Sequence, residues 1–268
     1  MAFSDFFKKD ETTYAAEGII AYRYDSTKGI KDFVKECLVP FRLAYIRDEQ
    51  IERIRKTKGE VRKRKDIIAD RLPASGIVMS GDFGEILTFY LATELWAADT
   101  NVRPMKWRLK DKKLDPSKYT DIILMKLQDV EKAHDTDRLY TIEVKTLCSR
   151  PSSDKCSLVE AVVDAEKDRV SRWYETLEYL RVRCEDMIMD PYYEEMGAKI
   201  ERFLNPAETT YGKEHLAMAV FDGKWETLQF QHLPKDFMNS HKMIHLFCLP
   251  IDDLQTIYES VYNQIPHS

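Results

Sequence analysis

The most informative pattern lies between Tyr119 and Thr146, YTDIILMKLQDVEKAHDTDRLYTIEVKT, where two apolar runs flank a polar middle. The first run opens with Asp121 and continues through Ile122, Ile123, Leu124 and Met125. The second, Leu139 to Leu147, carries Glu143-Val144-Lys145 near its end. Short apolar runs rich in β-branched residues, joined by an Asp/His/Thr/Lys loop, predict a β-hairpin. With the loop centred near Ala133, Asp121 faces Lys145 and Ile123 faces Glu143. Side chains two apart share one face of a strand, so Glu143 and Lys145 point the same way, on the face that holds Asp121. Burying charges without partners or a metal is costly, so stability does not account for such a cluster.

The flanking sequence supplies the other elements. Gly18 to Tyr24 alternates like a strand, and Lys31 to Tyr45 reads as a helix interrupted at Pro40. Asp48 to Leu72 places Ile51, Ile54, Val61, Ile68 and Leu72 on one helical stripe, with Gly59 as a point of bending. Leu72-Pro-Ala-Ser-Gly76 is the best internal boundary. Ser80 to Trp96 predicts a helix apolar around most of its circumference, and such a helix is buried on several sides. Met105 to Lys110 alternates like a strand and leads through the charged loop Asp111 to Lys118 into the hairpin. Arg150 to Asp154 is a turn before a long helix to about Cys184, and Asp186 to Pro206 adds a further helix. Leu216 to Phe221, Trp225 to Leu233 and Met243 to Leu249 read as strands, and Asp252 to Gln264 as a closing helix. This order predicts a mixed sheet with helices against it.

Composition narrows the function. The 268 residues are 32% charged and 44% hydrophobic, which suits a soluble globular protein with a sizeable core. A net charge of −5 gives no global attraction to nucleic acid, so such binding must come from local patches. No stretch approaches the roughly 18 apolar residues of a membrane helix, and the first residues lack a signal-peptide layout. The five cysteines, Cys37, Cys148, Cys156, Cys184 and Cys248, include no C-x-x-C pair; free thiols in a reducing cytoplasm are expected. No Gly-rich phosphate loop is present, so ATP hydrolysis is not expected of this chain.

Candidate chemistry comes from context. A carboxylate-x-Lys triplet occurs three times, at Asp111-Lys113, Glu143-Lys145 and Asp222-Lys224. The first lies in a polar loop and the third in an Asp-Gly turn, which has an ordinary conformational role. Only Glu143-Val-Lys145 sits inside an apolar strand. Glu85, in the first turn of the apolar helix, reads as a helix-dipole carboxylate or as another member of the site. Arg53, Arg55, Lys56, Lys58, Arg62, Lys63, Arg64 and Lys65 form a dense basic run. It reads as a solvated helix face, or as a phosphate-tracking rail or docking surface for an acidic partner. His241 and His245 lack a third ligand and read as core or surface histidines, and Cys148 as a buried thiol.

The order Glu85, Asp121, Glu143-x-Lys145 resembles the PD-(D/E)xK nuclease superfamily, with Thr120 standing where that pattern has Pro. More narrowly, Ser80-Gly-Asp-Phe-Gly-Glu-Ile-Leu, Tyr119-Thr-Asp-Ile-Ile-Leu and Thr141-Ile-Glu-Val-Lys-Thr resemble HamA, the nuclease family of the Hachiman antiphage system. The resemblance implies a restriction-endonuclease-like α/β fold, a mixed sheet flanked by helices. It implies an N-terminal α/β or mainly helical regulatory region over residues 1–75 and a nuclease domain with a C-terminal extension over 76–268. It also implies DNA as substrate and a HamB-like helicase as partner. Three carboxylates suit a hard ion, Mg²⁺ or Mn²⁺, with Glu85, Asp121 and Glu143 as ligands. Lys145 would then orient the attacking water and help neutralise the phosphate. Two rivals stay open: a non-catalytic nucleic-acid or helicase-binding adaptor, and a restriction-type endonuclease with its own sequence specificity.

Overall fold

The computed structural model describes residues 2–57, 62–74, 76–110, 119–132, 134–152, 155–187, 189–205 and 211–268. The expected bend at Gly59, the loop centre at Ala133 and the loop Asp111 to Lys118 lie outside these residues. So do Ser75, Ser153, Asp154 and Pro206, which belong to the expected boundary, turn and helix end.

The elements in chain order are β1 (Phe7–Asp10), β2 (Ile19–Tyr24), α1 (Ile30–Tyr45), α2 (Asp48–Thr57), α3 (Arg64–Ala69), α4 (Gly76–Leu95), β3 (Ile122–Lys126) and β4 (Arg138–Leu147). They continue as α5 (Ser157–Lys167), α6 (Trp173–Glu185), α7 (Pro191–Leu204), β5 (Gly212–Asp222), α8 (Glu226–Gln231), β6 (Ile244–Ile251) and α9 (Leu254–Gln264). The strands form one mixed sheet in the order β1-β2-β6-β5-β4-β3. Its centre, β2-β6-β5-β4, is parallel, and antiparallel β1 and β3 close the two sides. Segment 1–75 therefore contributes strands to the same sheet as the hairpin.

Parallel strands covered on both faces read as continuous apolar runs, and the buried stretch Leu216 to Phe221 in β5 is one. Alternate side chains of β4 divide between two cores. Tyr140, Ile142 and Val144 face the core of Phe83, Ile86 and Leu87 on α4. Leu139 faces the opposite side, where Ile123 and Met125 pack with Leu177 and Leu180 of α6 and Ile200 of α7. Gly84 permits the close approach of α4, because a Cβ there would overlap Thr146 Oγ1 on β4. That approach fixes the height of Glu85 over the sheet.

Three expectations need correction. The hairpin register is displaced by two residues: Ile123 pairs with Thr141 and Ile122 with Ile142, so Asp121 lies opposite Glu143 and not Lys145. The cause is the loop, where the Asp137 carboxylate accepts from Gln128 N at 2.9 Å and His134 N at 3.2 Å and so sets where the strands close. A two-residue displacement preserves the faces, whereas one residue would have reversed them. Met105 to Lys110 is not a strand: Lys106–Leu109 forms a 3-10 turn, and the outer side of β3 is met only by the single bridge Val102–Met125 among the described residues. Trp225 to Leu233 is also helical, as the turn Gly223–Trp225 followed by α8. It lies in the connection between β5 and β6, and parallel neighbours need a crossover, commonly helical. The long helix before Cys184 also departs in part, since a π-helical turn, Asp168–Arg172, separates α5 from α6.

Candidate active site

The site forms at the end of β3 where the chain enters the sheet. Tyr119 takes a left-handed backbone, φ 63°, immediately before Thr120 and Asp121. A non-glycine residue in this region costs about 1–2 kcal/mol, a strain that the surroundings of the cluster sustain. Asp121 sits one step beyond the last ladder pair, and its Oδ2 accepts from Val144 N at 2.9 Å. The bond fixes its carboxylate against β4.

Glu143 and Lys145 project from one face of β4, as their spacing requires, and Lys145 Nζ lies 2.7 Å from Glu143 Oε1. The elements beyond that face add partners that the sequence pattern did not single out. Arg172 Nη2 reaches Glu143 Oε2 at 3.0 Å, and Lys145 Nζ also reaches Asp164 Oδ2 at 2.6 Å. Arg172 Nε donates to Asp168 Oδ1 at 2.8 Å, and Thr120 Oγ1 donates to the same oxygen at 2.9 Å. Asp168 Oδ2 is buried without a hydrogen-bond partner. The i, i+4 pair Asp168 and Arg172 was visible in the sequence, but as an ordinary helix-surface pair. Its burial depends on the π turn, which aims both side chains at the sheet.

Glu85 approaches from the α4 side. It is buried, and its Oε2 accepts from Trp107 Nε1 at 2.9 Å. Beside Trp107, the buried Lys106 donates to Thr120 O. One turn before Glu85, Asp82 holds Lys110 Nζ at 2.5 Å and accepts from Tyr45 OH at 2.7 Å, and that hydroxyl meets Tyr262 OH at 2.8 Å. Two acids three apart on an otherwise apolar helix were the available signal for Asp82. Lys106 and Lys110 were hidden by the strand-like alternation of their segment.

The electrostatics tie these groups into one cluster. Burial pushes Glu143 up to about 9, with Asp121 and Asp168 adding to the effect and Lys145 opposing it. Burial likewise raises Asp168 to about 6, against the pull of Arg172. Glu85 is raised well above the usual carboxylate range by burial, then by Asp121 and Asp82. Burial depresses Lys106, while Asp121, Glu85 and Glu143 act to keep its proton. For Lys145 burial is outweighed by Glu143 and Asp164, which hold the ammonium charged. Asp121 thus appears among the causes acting on Glu85, Glu143, Asp168 and Lys106 alike, which places it at the electrostatic centre. Of the four residues expected from the sequence, Glu143 and Lys145 pair directly and Asp121 stands opposite Glu143 on β3, whereas Glu85 lies on the α4 side of the sheet and is linked to Asp121 through the field between their charges.

The other candidates lie apart. His241 Nδ1 stands 3.3 Å from Glu166, and His245 is exposed on β6. All five cysteines are unbonded, and burial lifts the Cys148 thiol to about 12, far from a reactive thiolate. No helix among the described residues is long and apolar enough to cross a membrane.

The mixed sheet, the flanking helices and an acid–lysine cluster at one strand end define an α/β protein of restriction-endonuclease-like architecture. Comparison with family models gives the narrower assignment: the HamA model matches residues 1–265, and the chain belongs to the HamA family. Membership makes it a component of the Hachiman type of antiphage defence. No curated protein matches the chain.

Proposed function

We propose that the chain is a metal-dependent nuclease that hydrolyses DNA phosphodiester bonds. The observation that carries this reading is the placement of Glu143 and Lys145 side by side on one strand face, with Asp121 opposite Glu143. Buried carboxylates that raise one another's proton affinity form a site short of positive charge. Their oxygens, and the partnerless Asp168 Oδ2, are the hard donors that Mg²⁺ or Mn²⁺ prefers.

Among the described residues, no group of three His, Cys, Asp or Glu side chains stands ready to hold a metal. The acids are engaged instead: Asp121 by Val144 N, Glu143 by Lys145 and Arg172, and Glu85 by Trp107. The donor chemistry fits, with Asp121 and Glu143 as the ligands and Glu85 as a ligand or the holder of a bound water. When bound, the ion supplies charge stabilisation at the scissile phosphate and acidifies water. The chain's own residues do the rest. Lys145, charged and fixed by Glu143 and Asp164, orients the nucleophile and neutralises a phosphate oxygen. Val144 N aims Asp121, and Arg172 orients the Glu143 carboxylate that would face the ion.

A nuclease without sequence readout requires restraint, and membership in the HamA family supports a HamB-like helicase as the partner that restrains it and delivers DNA. The test is degradation of plasmid by the purified chain with its helicase, with Mg²⁺ and with EDTA. Loss of cleavage in both Glu143→Gln and Lys145→Ala supports the reading, and retained cleavage in both rejects it. Co-purification with the helicase tests the restraint, which a free monomer cutting DNA without control would exclude. One rival draws on a specific observation. Glu143 neutralised from two sides favours an adaptor that binds nucleic acid or helicase and cuts nothing, and metal-independent binding without any cleavage would select it.

A further inference from the structure

The basic stretch around α2 borders a second feature, distinct from the acid cluster. A cavity of about 210 Å³ opens between the end of α1, α2, the segment after α3 and the 3-10 turn, and Arg53, Arg71 and Arg108 line it together with Tyr45 and Gln50. The rest of its wall is apolar, and among the described residues no carboxylate lines it. Arg108 spends both Nε and Nη2 on Leu43 O, so it contributes its charge and Nη1 rather than a free fork. Arg53 lies 3.8 Å from Asp190, but that carboxylate is already engaged by Arg47. The Arg71 guanidinium has no ion-pair partner among the described residues.

Three arginines lining one small space give it an excess of positive charge, which an anion would offset. The choice of Arg over Lys matters, because the planar fork matches oxyanions with two parallel bonds. A carboxylate accommodates one such fork, whereas a phosphate offers oxygens to several from different directions. The volume also decides: it falls below the roughly 300–1,000 Å³ of ordinary small-molecule pockets. That volume suits a small ionic head group.

We propose that this cavity binds a phosphomonoester, the terminal phosphate of a free nucleotide or of a nucleic-acid strand. It adjoins the acid cluster through two links. Tyr45, on its wall, donates to Asp82, and Arg108 follows Trp107, which donates to Glu85. The inference does not depend on the cluster cutting DNA, because binding is measurable without metal.

The test uses the full chain in EDTA and measures binding of a short oligothymidylate carrying either a 5′-phosphate or a 5′-hydroxyl, alongside a nucleoside monophosphate and inorganic phosphate. Preference for the 5′-phosphorylated strand by tenfold or more, erased in Arg53→Ala and in Arg71→Ala, supports a strand-end site. Mononucleotide binding with the same arginine dependence, and no preference between strand ends, supports the free-nucleotide source. Both side chains are exposed, so the variants are expected to fold, and an unchanged melting temperature checks this. Absence of any phosphate-dependent binding, or binding undiminished in the double variant, overturns the proposal. Loss of nuclease activity in an acid-cluster variant leaves this result untouched, so the two readings fail separately.

Discussion

Replacing Glu143 by glutamine tests the electrostatic account of the cluster directly. The side chain is 3% exposed, and its carboxyl stands at about 9 against an ordinary 4.5. A folded-state value raised for an acid means that its contribution to stability is greatest below pH 4.5 and is lost as pH rises towards 9. At about 1.4 kcal/mol per unit, the rise from pH 5 to pH 8 costs the native protein up to about 4 kcal/mol through this group alone. Glutamine cannot ionise and so avoids that loss; its one carbonyl oxygen still accepts from Lys145 or Arg172, but the other charge-assisted bond is forfeited, at about 1.5–3 kcal/mol. Lys145 retains Asp164, and Arg172 retains Asp168 and Asp164 O, so neither cation is stranded. The variant is therefore expected to be less stable than the parent at pH 5 and to approach or exceed it at pH 8. Lys145→Met should instead cost a nearly constant amount from pH 5 to pH 8, because Glu143, already raised to about 9, stays protonated over that range with or without this cation. Urea unfolding of the three proteins at pH 5, 6.5 and 8 measures this. If Glu143→Gln loses more stability at pH 8 than at pH 5, ion pairing and not burial governs the site, and the argument fails.

Other substitutions probe the remaining features. Gly84→Ala is expected to cost about 1–3 kcal/mol by overpacking α4 on β4, and Thr146→Ala in the same chain should recover most of it in a melting experiment. Burial, aided by Arg169 and Lys213, lowers His215 to about 4, so stability is lost as pH falls from 6.5 through 4. His215→Gln should flatten that acid limb by about 2 kcal/mol, allowing for partial screening by water; an unchanged limb would place the loss elsewhere. Arg172→Gln removes a cation from Glu143 Oε2 and should tighten Mn²⁺ binding about tenfold by calorimetry, equivalent to about 1.4 kcal/mol. Equal affinity in parent and variant would take Glu143 out of the ligand set.

Much of this site was legible before the structure because strand geometry is so restrictive. Glu143 and Lys145 share a face for any register, and Asp121 joins them for any even displacement of the hairpin. The register itself was not legible, since it depends on the Asp137 carboxylate bonding to two backbone amides within the loop. Local alternation misled at Met105–Lys110 and Trp225–Leu233, because a strand also needs a neighbour and neither segment has one. Arg172 and Asp168 escaped notice for a related reason: their i, i+4 spacing is common on solvated helices, and only the π turn carries it inwards. Parity and periodicity are properties of a segment, whereas burial of a charged pair belongs to the packed whole.

The pairing of β2 with β6 has a temporal consequence. Ile19 to Ala21 lie against Leu246 to Cys248, so β2 waits for a neighbour made more than 200 residues later. Such distant pairings slow folding, and until β6 arrives β2 offers a bare edge to other chains. A nascent or clipped polypeptide without β6 would thus lack a finished sheet under its acid cluster, and the protein's competence would be withheld until that strand is in place.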